Sequence, residues 1–243
     1  MPDILIPGGT SAPELRGYLA VPPVGEGPWP AVVVVHEALG LTDDTRQQAD
    51  RLAAAGYLAV APDLFTAGGL LRCLRTTFRA MLQGQGAAFG DLEATRRWLV
   101  ERPDTTGRVG VLGFCMGGGF ALLAATRGFD VSAPNYGAIP KDADEVLAGA
   151  CPVVASYGKR DPAFRGAAAE LRGVLDRLGV PNDVEEYPHA GHSFLNRHNL
   201  GPFTVLEKVA GFDYHHPSAE HAWTRILRFL DTHLRAEQPA AQT

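Results

Sequence analysis

Cys115 stands between small residues in the stretch Gly113-Phe114-Cys115-Met116-Gly117. The apolar run 109–112 precedes it, which predicts a strand, a tight turn at the cysteine and a helix from Gly117 to about Thr126. A strained elbow of this kind requires small residues two positions before and after the nucleophile, because a larger side chain would collide with neighbouring backbone. The pattern therefore predicts that Cys115 is a nucleophile that attacks as its thiolate.

Asp161 and His192 each follow a predicted strand, and their side chains could activate a thiol. An imidazole can take the thiol proton, and a carboxylate can hold the imidazole in the useful tautomer. The chain order of Cys115, Asp161 and His192 is the order used by α/β-hydrolases. Asp161 could instead cap the following helix, and His192 could be a surface residue with His189 or His198 as the base. We predict the triad, because both residues follow strands.

Two backbone amides could stabilise the oxyanion that forms when a thiolate attacks an acyl carbon. Met116 begins the predicted helix, and Ala38 lies in the loop after the predicted strand 31–35. Such donors must lie about 2.7–3.1 Å from the oxyanion, and a helix N-terminus also favours the thiolate. Glu37, beside Ala38, is either a polar loop residue or part of the site. The residues alone leave both roles open.

The rest of the chain alternates predicted strands and helices. The helices are predicted at 45–55, 91–100, 117–126, 163–178 and 218–234, and the strands at 14–21, 31–35, 57–61, 109–112, 131–137, 152–158 and 184–187. This alternation predicts an α/β protein with a doubly wound, mostly parallel sheet and helices on both faces. In such sheets, ligands bind beyond the carboxyl ends of the strands. Glu37, Cys115, Asp161 and His192 all follow strands, so we expect them to meet there.

A single domain over residues 1–243 suits this length. The segment 66–90 interrupts the alternation and holds an amphipathic piece with Arg72, Arg75 and Arg79. We predict a lid-like insertion over the strand ends, on which the three arginines could simply form a solvated face. Residues 236–243 are expected to be a flexible tail.

Composition excludes several classes of function. The formal net charge of -5 argues against a nucleic-acid surface, and no apolar run could cross a bilayer, so neither partner is expected. Residues 1–13 lack the features of a signal peptide. Cys73, Cys115 and Cys151 suit neither a disulfide framework nor a zinc site, which favours a reducing cytoplasm and structural roles for Cys73 and Cys151. We expect a monomer or small homo-oligomer.

Five motifs together resemble the dienelactone hydrolase family. They are His36-Glu37-Ala38-Leu39-Gly40, Pro62-Asp63-Leu64-Phe65, the cysteine elbow, Asp161-Pro162 and Gly191-His192-Ser193-Phe194. The resemblance extends from about Leu15 to Leu234. It implies an α/β-hydrolase with a Cys-His-Asp triad that opens lactones or esters through a thioester, without metal or cofactor, as in the breakdown of aromatic compounds. It also implies that Glu37 lies beside Cys115 and takes the thiol proton when substrate binds.

The family resemblance further implies two arginines that hold a substrate carboxylate. Arg72 is the nearest candidate for one, but the second position is Asn196, with Arg197 one residue later. Either Arg197 reaches the site or the substrate is a neutral ester. Tyr136, at the exit of the predicted strand 131–137, either lines the pocket or belongs to the edge of the core. The alternatives to a dienelactone hydrolase are a broad carboxylesterase or thioesterase and an inactive binding relative.

Overall fold

An eight-stranded sheet forms the centre of the molecule in a computed structural model that describes residues 3–197 and 214–235. Its strands are β1 Asp3–Pro7, β2 Glu14–Ala20, β3 Trp29–Val35, β4 Leu58–Pro62, β5 Thr105–Phe114, β6 Val131–Asn135, β7 Val153–Gly158 and β8 Asn182–Tyr187. Their spatial order is β1-β2-β4-β3-β5-β6-β7-β8. The pairs from β4 to β8 are parallel, which matches the predicted, mostly parallel sheet.

The antiparallel edge differs from the sequence prediction, which had no strand before residue 14. β1 pairs antiparallel with β2, and β2 pairs antiparallel with β4. Within β1 only Ile6 is fully buried. A five-residue edge strand that buries one side chain gives almost no periodic signal, which explains why the sequence pattern does not predict it.

The helices alternate with the strands. They are α1 Asp43–Ala54, α2 Leu70–Gln83, α3 Ala87–Val100, α4 Met116–Ala124, α5 Ala143–Val146, α6 Ala167–Arg177 and α7 His216–Leu234. Thr42 caps α1, since its hydroxyl accepts a hydrogen bond from the amide of Thr45. Two of the predicted starts are displaced by four residues, and the other three by one or two. α3 begins at Ala87 rather than 91, and α6 begins at Ala167 rather than 163, after a turn that carries the Asp161 carboxylate.

Each face of the sheet carries its own core, and β3 contributes to both. Val32 and Val34 pack with residues of α1, α6 and α7, whereas Val33 and Val35 pack with residues of α2 and α3. Successive side chains of a strand point to opposite faces, so a run of buried valines is what a strand covered on both sides requires. This arrangement confirms the predicted helices on both faces.

The predicted insertion 66–90 contains α2 and the beginning of α3. One face of α2 is buried, and the sulfur of Met81 lies 2.5 Å from where a side chain on Gly119 would begin. The glycine thus allows α2 to pack closely against α4.

No helix in the described residues is long and apolar enough to cross a membrane. The predicted tail 236–243 and the alternative base His198 lie outside the described residues.

Candidate active site

The backbone at Cys115 is strained. Its φ of 53° and ψ of -116° put a non-glycine residue at positive φ, which L-residues rarely adopt outside functional sites. A side chain on Gly113 would begin 1.9 Å from the carbonyl oxygen of Gly117, and one on Gly117 would begin 2.2 Å from that of Val35. Both glycines are therefore required by the turn between β5 and α4, which places Cys115 at the N-terminus of α4.

The loops after β7 and β8 approach each other just as closely. A side chain on Gly158 would begin 2.4 Å from the carbonyl oxygen of Gly191, and the amide of Arg160 donates to the carbonyl oxygen of Ala190 at 2.9 Å. These contacts bring Asp161 and His192 together. His192 Nδ1 and Asp161 Oδ2 lie 2.6 Å apart.

Helix α6 begins at Ala167 with Gly166 as its N-cap residue, so Asp161 does not cap that helix. Its second carboxylate oxygen accepts a hydrogen bond from the amide of Ala163 at 2.9 Å, and only 1 % of the residue is exposed. This hydrogen bond to the turn before α6 fixes the carboxylate that faces His192. Because Asp161 Oδ2 is an acceptor, the hydrogen bond requires the proton on His192 Nδ1, which leaves Nε2 for the thiol.

His192 is buried between aromatic rings and charged partners. Its ring stacks on Phe164 at a centroid distance of 5.7 Å and lies 5.1 Å from the ring of Tyr136. Burial opposes its charged form, but hydrogen bonds to Asp161 and Cys115 and their charges raise the pKa of His192 to about 9. His192 is therefore protonated at neutral pH beside Cys115.

The loop after β3 is fixed by His36. The imidazole is fully buried, its Nδ1 lies 2.7 Å from the carbonyl oxygen of Glu37, and its Nε2 accepts a hydrogen bond from the amide of Leu64 at 3.1 Å. Nδ1 must then carry the proton and donate it to the carbonyl oxygen. Burial lowers the pKa of His36, so the ring is neutral. His36 thus joins the loops after β3 and β4.

The same loop carries Glu37 and Ala38 alongside the elbow. The close approach of Gly117 to the end of β3 places this loop beside Met116. Glu37 is only 5 % exposed. Burial, followed by the charges of Glu37, Asp44 and Cys115, raises the pKa of Tyr136 well above its usual range. Glu37 and Cys115 therefore both lie close to Tyr136.

Asn196 belongs to a buried polar network behind His192. It accepts a hydrogen bond from the Tyr136 hydroxyl and donates one to Asp44 Oδ2 at 2.5 Å. Asp44 Oδ1 also accepts from the amide of Arg197 at 2.8 Å, and the side chain of Gln48 donates to the carbonyl oxygen of Leu195 at 3.0 Å. Helix α1 thereby anchors the segment that follows His192.

The guanidinium groups of the two arginine candidates lie apart from this network. Arg197 is exposed, with its guanidinium over the ring of Tyr214 at 4.4 Å. Arg72 is exposed on α2. The Tyr136 side chain is fully buried with its hydroxyl bonded to Asn196, so it forms a wall behind His192.

The remaining cysteines, His189 and Asp63 have the surroundings of ordinary core or surface residues. Cys73 is buried in the core, burial raises the pKa of Cys151 to about 12, and His189 is exposed. Asp63 pairs with Arg16 at 2.9 Å. In the described part of the chain, no group of three His, Cys, Asp or Glu residues could hold a metal ion.

Sequence reasoning missed Phe164, Asp44 and His36 as supporting residues. Phe164 lies three residues after Asp161, and a large apolar residue that close to a triad acid was a usable signal. The bond between Asp44 and Asn196 spans 152 positions of the chain. Nothing in a single sequence connects those two residues.

A cysteine elbow, then an aspartate and then a histidine along the chain, each at the carboxyl end of a parallel strand, is the arrangement of the α/β-hydrolase class. The dienelactone hydrolase family model matches residues 15–234. The chain therefore belongs to the dienelactone hydrolase family, whose members hydrolyse ester or lactone bonds, and it is an enzyme of that class.

Known proteins agree with this assignment. The carboxymethylenebutenolidase of Pseudomonas putida is 29% identical over 189 residues, which cover 72% of this chain and 79% of that protein. A Yersinia pestis protein provisionally named carboxymethylenebutenolidase is 28% identical over 239 residues, which cover 90% and 84%. A Klebsiella pneumoniae structure, provisionally described as a dienelactone hydrolase, has a TM-score of 0.76 at 25% identity, covering 94% of this chain and 96% of that one.

Proposed function

We propose that this chain hydrolyses a small carboxylic ester or lactone through a Cys115-His192-Asp161 triad and a thioester intermediate. The observation that carries the proposal is the continuous chain from Asp161 through His192 to a strained Cys115. Each member leaves the carboxyl end of a different strand. This convergence supports acyl transfer, which needs a nucleophile, a proton carrier and a carboxylate that orients the proton carrier.

In the proposed first step, the Cys115 sulfur attacks the carbonyl carbon and the carbonyl oxygen becomes an oxyanion. The amides of Ala38 and Met116 donate hydrogen bonds to it. The carbon–oxygen bond to the leaving group then breaks, and the leaving oxygen takes the proton from His192 Nε2. In the second step, His192 takes a proton from water while the hydroxide attacks the thioester. The carboxylic acid departs and the Cys115 thiolate returns with a protonated His192, held by Asp161.

Two groups could accept the proton of a resting Cys115 thiol. His192, with its pKa of about 9, favours a thiolate and imidazolium pair before substrate arrives. The family resemblance instead implies that buried Glu37 takes the proton only once substrate binds. The charges near His192 support the first state, and the position of Glu37 allows the second.

A neutral ester is the favoured substrate over an anionic lactone. Asn196 is held by Asp44 and Tyr136, and the Arg197 guanidinium lies over Tyr214. After burial, the charges of the buried side chains Glu37 and Asp44 help to raise the pKa of Tyr136 behind His192. The same charges would repel a substrate carboxylate. This supports the second candidate, a broad carboxylesterase. The names of the relatives indicate carboxymethylenebutenolide, an anionic lactone, as the substrate to compare.

The test is hydrolysis of short p-nitrophenyl esters and of cis- and trans-dienelactone by the wild type and by Cys115→Ala. We expect the neutral esters to have the higher kcat/KM and the variant to be inactive on all of them. Full activity of Cys115→Ala would refute the mechanism, and faster hydrolysis of dienelactone would refute only the substrate preference. Labelling of Cys115 by iodoacetamide without hydrolysis of any ester would support an inactive binding relative.

A further inference from the structure

Helix α2 exposes an unusual amount of apolar surface. Nine large apolar side chains are exposed in the described residues, and four of them belong to this single helix of 14 residues: Leu70, Leu71, Phe78 and Leu82. Leu71 is 97% exposed. Because isolated exposed apolar residues are ordinary but clusters mark interaction sites, this concentration requires an explanation.

The exposed residues of α2 form a continuous stripe beside its buried face. At 3.6 residues per turn, Cys73, Thr77, Ala80 and Met81 share the face that packs on the core. Leu71, Phe78 and Leu82, together with half-buried Leu74, follow around the helix. Arg75, Arg79 and Arg72 come next and are all exposed. The helix contains no acidic residue, so its charge is +3 in a chain whose net charge is -5.

We propose that this ridge, formed by Leu71, Phe78, Leu82 and the arginines Arg72, Arg75 and Arg79, binds an anionic lipid surface. Interfacial helices have this composition, with Leu and Phe entering the boundary of the acyl chains and Arg lying at the level of the headgroups. Anionic headgroups complement the three arginines. No ion pair engages these arginines among the residues that the structure describes.

The charges of the ridge also favour an anionic lipid surface over a second copy of the chain as the binding partner. Pairing two α2 ridges would place three arginines of one copy beside three of the other, and like charges at an interface are unfavourable. The ridge projects from the surface at Leu71, which is almost fully exposed. A projecting ridge suits a deformable surface. The expectation of no membrane partner rested on the lack of a spanning run, which does not exclude binding at the surface.

The experiment is sedimentation of the full chain with vesicles of pure phosphatidylcholine and with vesicles of roughly one third phosphatidylglycerol. Two variants test the ridge. One is Leu71→Ser with Phe78→Ser and Leu82→Ser, and the other is Arg75→Gln with Arg79→Gln. Arg97→Gln with Arg228→Gln removes the same charge from exposed positions on α3 and α7 and is the control. Circular dichroism checks the fold of each variant.

We expect binding to the anionic vesicles only, weakened by salt, and about tenfold weaker for either ridge variant than for the control. Equal binding to both vesicle types, an arginine variant that binds like the control, or no binding at all would overturn the proposal. A dimer in light scattering that the serine variant dissociates, together with no vesicle binding, would assign the ridge to a second copy instead. None of these outcomes depends on the catalytic proposal, because the measurement is binding.

Discussion

Cys115 and Cys151 carry the same thiol in different surroundings. Cys115 stands at a strained φ of 53° at the start of α4, with His192 as its partner. Cys151 lies between the end of α4 and β7, where its amide donates to the carbonyl oxygen of Ala125 at 2.9 Å. Burial and then the charge of Asp130 raise its thiol pKa to about 12. Under the proposed mechanism, the comparison indicates that backbone geometry and a protonated neighbour, rather than the residue type, make Cys115 the nucleophile.

The largest expected difference between the two thiols is in their reaction with iodoacetamide. At pH 7 a thiol with a pKa of about 12 is almost entirely protonated, whereas protonated His192 favours the thiolate of Cys115. We expect Cys115 to be alkylated more than about 1,000-fold faster than Cys151. Peptide mapping after timed quenching measures both rates in one sample.

A Cys151→Ala variant is the control for that comparison and should label like the wild type. Equal labelling rates at the two positions would contradict the difference in surroundings. Rapid alkylation of Cys151 in the native protein would also contradict that difference.

Asp161→Asn should weaken the proton transfer that distinguishes Cys115. An amide in place of the carboxylate removes a charge that raises the pKa of His192, so that pKa falls from about 9. His192 must be protonated to release the leaving group, so kcat/KM should decline above about pH 9 in the wild type and at lower pH in the variant. We expect a loss of about 100-fold in kcat at pH 7.

The matched control for Asp161→Asn is Asp63→Asn, which removes a carboxylate that pairs with exposed Arg16 at 2.9 Å. Its pH profile should follow that of the wild type. If Asp161→Asn keeps the wild-type profile, Asp161 does not control the charge of His192.

The smallest expected effect concerns the backbone that holds Cys115. A Gly117→Ala side chain would begin 2.2 Å from the carbonyl oxygen of Val35 and 2.6 Å from that of His36. Backbone must move to admit it, so we expect the free energy of unfolding to fall by about 2 kcal/mol. Urea denaturation measures the change.

Gly173→Ala on α6 is the control, and it should not lower the free energy of unfolding. The added side chain would meet only the end of the Arg177 side chain, at 3.4 Å. Alanine favours a helix over glycine by about 1 kcal/mol, so this variant should be equally or more stable. Similar behaviour of both variants would mean that the elbow tolerates a larger residue.

The sequence predicts the parts of the site that depend on local rules. Glycines around Cys115 specify the elbow, and Asp161 and His192 are found because each follows a recognisable strand. The strand β1 escapes prediction because it buries one residue. The bond between Asp44 and Asn196 escapes because it depends on how α1 packs near the end of β8, which no local pattern encodes. The exposure of the α2 stripe likewise follows from packing, since the sequence shows only an amphipathic segment.

The central claim is that acyl groups pass through Cys115, and trapping the intermediate tests it most directly. The enzyme is mixed with p-nitrophenyl acetate, quenched in acid within the first turnovers, and mapped by mass spectrometry. The account predicts an acetyl group on the Cys115 peptide of the wild type and none in Cys115→Ala, with Cys151 unmodified in both. Turnover by the wild type with the acetyl group on another residue, or continued turnover by Cys115→Ala, would contradict it.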